Sequence, residues 1–187
     1  MIATLNREGG PITGNDESDE GQSDWVEGVF LAWGREFPQA DTAGLKMITR
    51  LARLEVLLSD FQSYRLAPLG LVMSDFMVLA ALRRLGEPYQ ASPSSLYNVL
   101  ERSSGGMTKM IKRLESMGLV ERLPDPDDGR GSLVRLTAEG VAMHEQAFYA
   151  FLEGSDAVLD GVSSTQLKGL HRSLQRLVGA FEGYLYE

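Results

Sequence analysis

The chain has 187 residues, 43% of them hydrophobic and 24% charged, the profile of one globular domain with an appendage that folds without staples. It has no cysteine and two histidines, which excludes disulfides, thiolate nucleophiles and thiolate metal sites and leaves any metal site to carboxylates. The net charge of −8 argues against nucleic acid at face value, although the charge is unevenly spread.

Residues 9–22 are acidic, glycine-rich and nearly devoid of apolar side chains, so a disordered acidic segment is expected over 1–22. The opening residues lack the basic flank and apolar core of a secretory signal. The longest apolar run, Phe76 to Leu82, is far short of the roughly 20 residues that span a bilayer. A cytoplasmic protein with no membrane partner is expected.

From residue 23 to 37 an extra helix is predicted, with Ser23 as its cap and Pro38 as its stop. Trp25, Val26, Val29, Phe30 and Trp33 share one face. A long helix follows over 42–66, in which Leu45, Ile48, Leu51, Leu54, Leu58 and Phe61 recur at steps of three and four. Ser74 is expected to cap the next helix, with Phe76, Leu79 and Leu82 inward. Ser92-Pro93 reads as a cap followed by proline at the first helical position, opening a short helix with Leu96, Val99 and Leu100 inward.

Ser103 or Ser104 starts another helix after only a few residues. Met107, Ile111 and Leu114 form its apolar face, and Gly118 takes the position just past its end. Two short helices joined so tightly make a helix-turn-helix. The period then changes to two. Residues 119–123 and 132–136 read as strands around a polar turn, PDPDDGRG, which makes a hairpin wing. Thr137 caps a further helix, and Gly154 to Gly161 is expected to loosen the chain. Ser163 and Gln166 form a capping box. After them Leu167, Leu170, Leu174, Leu177, Phe181 and Tyr184 make a heptad-like seam suited to a dimer interface.

The winged helix-turn-helix carries the functional reading. The net charge is −7 over residues 1–41, +3 over 42–137 and −4 over 138–187. Within the middle block, Arg102, Lys109, Lys112 and Arg113 lie in an acid-free stretch, the local footprint that phosphate binding requires. Ser103, Ser104 and Gly105 are small enough for close backbone approach. Thr108, Lys109 and Lys112 fall off the apolar face, and Arg130 at the hairpin tip can reach phosphates or a narrow minor groove. Asp128 either fixes the turn through backbone amides or pairs with Arg130 and aims it. Enzyme signatures are absent: the sequence has no phosphate-binding loop, no dinucleotide fingerprint, no nucleophile elbow and no H-E-x-x-H.

The stretch SSGGMTKMIKRLESMGLVERLPDPDDGRGSLVRLTAEGVAMHE, residues 103–145, resembles the multiple antibiotic resistance regulators, the MarR family. The wing signature D-x-R is Asp128, Gly129 and Arg130, followed by Val134, Leu136 and Thr137. The resemblance implies a mainly α fold: a winged helix-turn-helix over 74–137 with a two-stranded wing, and a helical dimerisation region from 42–66 and 138–187. It implies a homodimer that binds a pseudo-palindromic operator in double-stranded DNA, with repression relieved by a small molecule, often an aromatic or organic acid.

The family's base-reading positions fall on Ser104, Thr108 and Lys109, with Lys112 and Arg113 beside them, and its wing arginine falls on Arg130. Gly129 departs from the basic residue common there, at the cost of one phosphate contact. A tryptophan-bearing leading helix also occurs in a urate-responsive branch, but the acid that follows the aromatic there is Met77 here, after Phe76, which argues against urate; Trp33, Arg50, Phe76 and Met77 are the candidate ligand set. No metal or resident cofactor is expected. The alternative is a winged-helix dimer that serves as a protein-interaction module without specific DNA binding.

Overall fold

The structure is a computed structural model, and it describes residues 25–100, 104–126, 128 and 131–186. The predicted acidic segment, the Ser23 cap, Ser103 and Arg130 lie outside these residues. Seven α-helices are described: α1 (Trp25–Glu36), α2 (Ala43–Leu66), α3 (Met73–Arg84), α4 (Pro93–Leu100), α5 (Ser104–Ser116), α6 (Ala138–Val158) and α7 (Ser164–Tyr186). The strands are β1 (Gln90–Ala91), β2 (Val120–Pro124) and β3 (Ser132–Leu136). They form an antiparallel sheet in the order β1-β3-β2. The hairpin is therefore widened by β1, a two-residue strand that the sequence reading lacks.

The chain divides into two compact units, up to Leu57 and from Leu58 onward. In the first unit, Val26 and Phe30 are buried. Glu27 accepts hydrogen bonds from Lys46 Nζ at 2.9 Å and from Arg50 Nη2 at 3.0 Å. Those bonds, Lys46 first, hold its carboxyl below the usual range. Trp33 does not join the inner face as predicted. It is 49% exposed and lies 5.6 Å from the Phe37 ring.

The second unit has one core, built from Leu66, Leu71, Val78, Leu79, Leu82, Leu96, Met107, Ile111, Leu114, Val120, Val134 and Leu136 among others. It is the space between α3, α4, α5 and the sheet. The wing grows out of this core in register. Val120 pairs with Leu136 and Arg122 with Val134, so alternate side chains of β3 reach the core.

Local signals fix the ends of these elements. Ser92 Oγ accepts from Ser95 N at 3.1 Å, which opens α4. Past α5, Gly118 has φ 73°. Its N–H reaches Glu115 O at 2.9 Å, and Leu119 N reaches Leu114 O at 2.9 Å, the paired bonds of a Schellman stop. Thr137 Oγ1 accepts from Gly140 N at 3.0 Å. Ser163 N donates to Gln166 Oε1 at 2.9 Å and Gln166 N donates to Ser163 Oγ at 3.3 Å, the predicted capping box.

Three predictions are corrected. α3 starts at Met73 with Val72 in the N-cap position, not Ser74. Asp75 takes the capping role from inside the first turn by accepting the Val72 N–H at 3.1 Å. Val99 is 61% exposed rather than inward; α4 buries only Leu96, because one short helix turns only a narrow stripe to the core. Gly154 does not loosen the chain, since α6 continues to Val158. A Cβ at Gly154 would stand 2.8 Å from the Phe61 ring and 2.9 Å from Arg65 Nε. The missing side chain thus lets the end of α2 lie against α6, where Arg65 Nε donates to Ala150 O at 2.7 Å.

Candidate nucleic-acid interface

α4 and α5 form the helix-turn-helix, and α5 presents two faces. Met107, Ile111 and Leu114 are buried at 2% exposure or less, while Gly105, Thr108, Lys109 and Lys112 are exposed on the other side. The burial follows the helical period, so anchoring the apolar residues in the core fixes the direction of the polar ones. A Cβ added at Gly105 would meet nothing within 4 Å, so the backbone there is open to approach from outside.

Arg113 stands apart from this row and is corrected. Its Nε donates to Asp75 Oδ2 at 2.9 Å and its Nη2 donates to the Gly70 carbonyl at 3.0 Å. Asp75 is fully buried, whereas the Arg113 side chain is 48% exposed. Its guanidinium is thus engaged inside the lobe, tying α5 to the start of α3 rather than facing the groove. Asp75 Oδ1 accepts no hydrogen bond among the described residues. Sequence reading missed Asp75, and the only signal available was an acid one residue before the core residue Phe76.

The wing is held by short-range bonds. Gly131 N donates to Asp128 O at 2.8 Å, and Asp125 N to Gly131 O at 3.3 Å. The Asp125 and Asp128 side chains stand 3.1 Å from where a Gly131 Cβ would be. On the strands, Arg135 bonds Glu121 Oε1 through Nε and Nη2 at 3.0 and 2.8 Å. Arg122 pairs with Glu115 at 3.2 Å. These two cations are used within the lobe, whereas Lys109 and Lys112 on α5 are exposed.

The candidate ligand residues fall in two units of the chain. Trp33 and Arg50 belong to the first compact unit, and Arg50 is paired with Glu27. Phe76 and Met77 belong to the second. Phe76 stacks on His144 at 5.5 Å with the planes 4° apart, and meets Phe151 edge-on at 4.9 Å. Met77, the next residue along the helix, points elsewhere and is 37% exposed. His144 has no assigned role in the sequence. It is half-buried in this stack, and burial first, then nearby Arg83, pushes its imidazole below the usual range.

No residue of α7 is buried. Leu167, Leu170, Leu174, Phe181 and Tyr184 are all at least 41% exposed. Leu177 is intermediate. Leu45, Ile48, Leu54 and Leu58 of α2 are likewise about half exposed.

Comparison with known proteins agrees with this architecture. Residues 71–132 match the model of the MarR family. The chain is 29% identical over 152 residues to the HTH-type transcriptional regulator PecS of Dickeya dadantii, covering 81% of this chain and 92% of that protein. It is 30% identical over 139 residues to an HTH-type transcriptional repressor of Mycobacterium tuberculosis, covering 74% and 96% respectively. The crystal structure of a mutant Escherichia coli MarR in complex with operator DNA superposes with a TM-score of 0.60 at 29% identity, over 74% of this chain and 99% of that one. Fold, wing and full-length relatives agree: this chain belongs to the MarR family of DNA-binding transcriptional regulators.

Proposed function

We propose that the protein is a ligand-responsive repressor that acts as a homodimer on a pseudo-palindromic operator. The observation that carries this is the exposed Thr108–Lys109–Lys112 row opposite a fully buried apolar face, on the second helix of a helix-turn-helix. Side chains of these types read base edges and bind phosphates in a major groove. In this reading Ser103, Ser104, Gly105 and Arg130 add backbone and wing contacts, and Asp128 shapes the wing.

Two further features support the dimer. The rows on α2 and α7 are long, apolar and uncovered within the chain, which is how a shared helical interface looks in one protomer. One lobe alone also makes too few contacts for specific binding at physiological salt. With two lobes, half-sites should lie about 10 bp apart. A small effector, an aromatic or organic acid, would release DNA by preferring a lobe spacing that no longer fits those half-sites. The role needs no catalysis and no resident cofactor. A DNA partner implies the cytoplasm, away from membranes.

The test is fluorescence anisotropy with duplex DNA from beside the protein's own gene, titrated with salt and nonspecific competitor. Saturable binding that survives competitor and weakens steeply with salt supports the reading. Binding that competitor erases at every flanking segment overturns it and favours the protein-interaction alternative.

A further inference from the structure

The two helices of the helix-turn-helix leave a cleft between them beside Thr108. Pro93, Ser94 and Tyr97 of α4 and Met107 and Thr108 of α5 line about 260 Å³ of space. Met107 is 2% exposed and belongs to the core, so it closes the inner end. Tyr97 stands at the outer wall, 41% exposed, and Thr108 is exposed as well. Among the described residues, no charged side chain lines the cleft. The Ser94 hydroxyl shares a hydrogen bond with Ser92 Oγ at 2.9 Å, so the surface on offer is mostly apolar.

We propose that this cleft seats the C5-methyl group of one thymine in each half-site, which makes Tyr97 a specificity-determining residue of the interface. The proposal rests on the operator reading above. Thr108 lines the cleft and also belongs to the row that carries that reading, so DNA placed on the row meets the mouth of the cleft. Chemistry selects the occupant. In the major groove the thymine methyl is the apolar group that a base pair displays, and the other groups there are hydrogen-bond donors and acceptors. A donor or acceptor pressed into an apolar space loses water without replacement, whereas a methyl gains from the same burial. A phosphate would want a cation, and the residues that line the cleft supply none. Size permits the methyl: a cavity of roughly 150 Å³ holds a benzene ring, so about 260 Å³ admits the methyl and the pyrimidine edge behind it. Labour is then divided along the surface. Lys109 and Lys112 supply charge, and the cleft supplies a sequence preference that owes nothing to charge.

The experiment is fluorescence anisotropy of the full chain on the operator found beside its gene, with each thymine replaced in turn by deoxyuridine, symmetrically in both half-sites. Deoxyuridine keeps every hydrogen-bonding group of thymine and lacks only the methyl. At one position binding should weaken by about fourfold per methyl, or about fifteenfold for the pair. The factor should be the same at low and high salt, because no phosphate contact is lost. Tyr97→Ala should weaken the thymine operator and bind the thymine and deoxyuridine operators alike at that position, the mark of energetic coupling. Tyr97→Phe should keep the full preference, since the ring and not the hydroxyl forms the wall. Tyr97 is exposed, and circular dichroism checks that both variants fold; the deoxyuridine series on the unaltered chain decides the question even where Tyr97→Ala does not. Specific binding that is indifferent to every deoxyuridine overturns this inference and leaves the repressor standing. A deoxyuridine penalty that persists in full in a folded Tyr97→Ala protein also overturns it. Failure of every flanking segment to bind in the presence of competitor overturns both readings together.

Discussion

Replacing Arg113 by methionine strands a charge. Asp75 is fully buried, and its Oδ2 receives the Arg113 Nε–H and the Val72 N–H. Without the guanidinium, that carboxylate keeps one backbone donor in a low-dielectric setting. Breaking such a buried pair from one side costs about 3–5 kcal/mol. Asp75→Asn is milder, because Arg113 is half exposed and water can take over its charge. The amide nitrogen then occupies the place of Oδ1, where no partner stands, at a cost of about 1–3 kcal/mol. The two changes together should show a reversal of sign. In the wild-type background Asp75→Asn destabilises. In the Arg113→Met background it removes the stranded charge and should restore about 1 kcal/mol or more. Urea unfolding of the four proteins at one fixed protomer concentration measures this, since dimer stability depends on concentration. Arg113→Met should also lower the thermal midpoint by roughly 6–20 °C for a chain of this size. If Asp75→Asn destabilises equally in both backgrounds, the pair is not an energetic unit and the reasoning fails.

Four other outcomes are expected. Thr108→Ala or Lys109→Ala should cost about 1–3 kcal/mol of operator binding and relax preference at one base pair, whereas Lys112→Ala should weaken all sequences alike and reduce the salt slope by about one; anisotropy on operator variants separates the two patterns. Gly140→Ala should destabilise by about 1–3 kcal/mol or more, because the added Cβ would overlap the Leu119 carbonyl oxygen that accepts the Thr137 N–H; an unfolding midpoint equal to wild type would contradict the packing. Leu174→Glu should dissociate the dimer while each protomer stays folded, since α7 buries nothing within the chain; sedimentation velocity and circular dichroism read the two effects. The His144 imidazole is depressed by burial, so the unfolded chain takes up its proton first as pH falls. Stability from this group is therefore complete above about pH 6.5 and declines below it until the folded-state pKa is reached; His144→Phe should flatten that part of a midpoint-versus-pH curve.

What can be read from the sequence divides by the range of the interaction. Thr137, Ser163 with Gln166, and Gly118 announce helix ends because their partners lie within a few residues, and each makes the predicted bond. The buried face of α5 is legible for the same reason: three apolar residues at helical spacing need only a core on one side. β1 is not legible, because two residues carry no period and Gln90 and Ala91 become a strand only when Arg135 and Val134 arrive beside them. The Arg113–Asp75 pair spans 38 positions of sequence, and composition alone makes Arg113 look like one more phosphate contact. The glycines at 140 and 154 resemble helix weakeners until the Leu119 carbonyl and the Phe61 ring appear against them. The apolar rows of α2 and α7 are legible as rows, yet nothing in one chain says what covers them. Trp33 shows the difference between helical angle and cover. Helical spacing assigns it to an inner face, but spacing sets only the angle around the helix, and one turn past the buried Phe30 the cover has ended. The contacts that tie this fold to its site are the non-local ones, so the parts least visible in the sequence are those that hold the recognition helix in place.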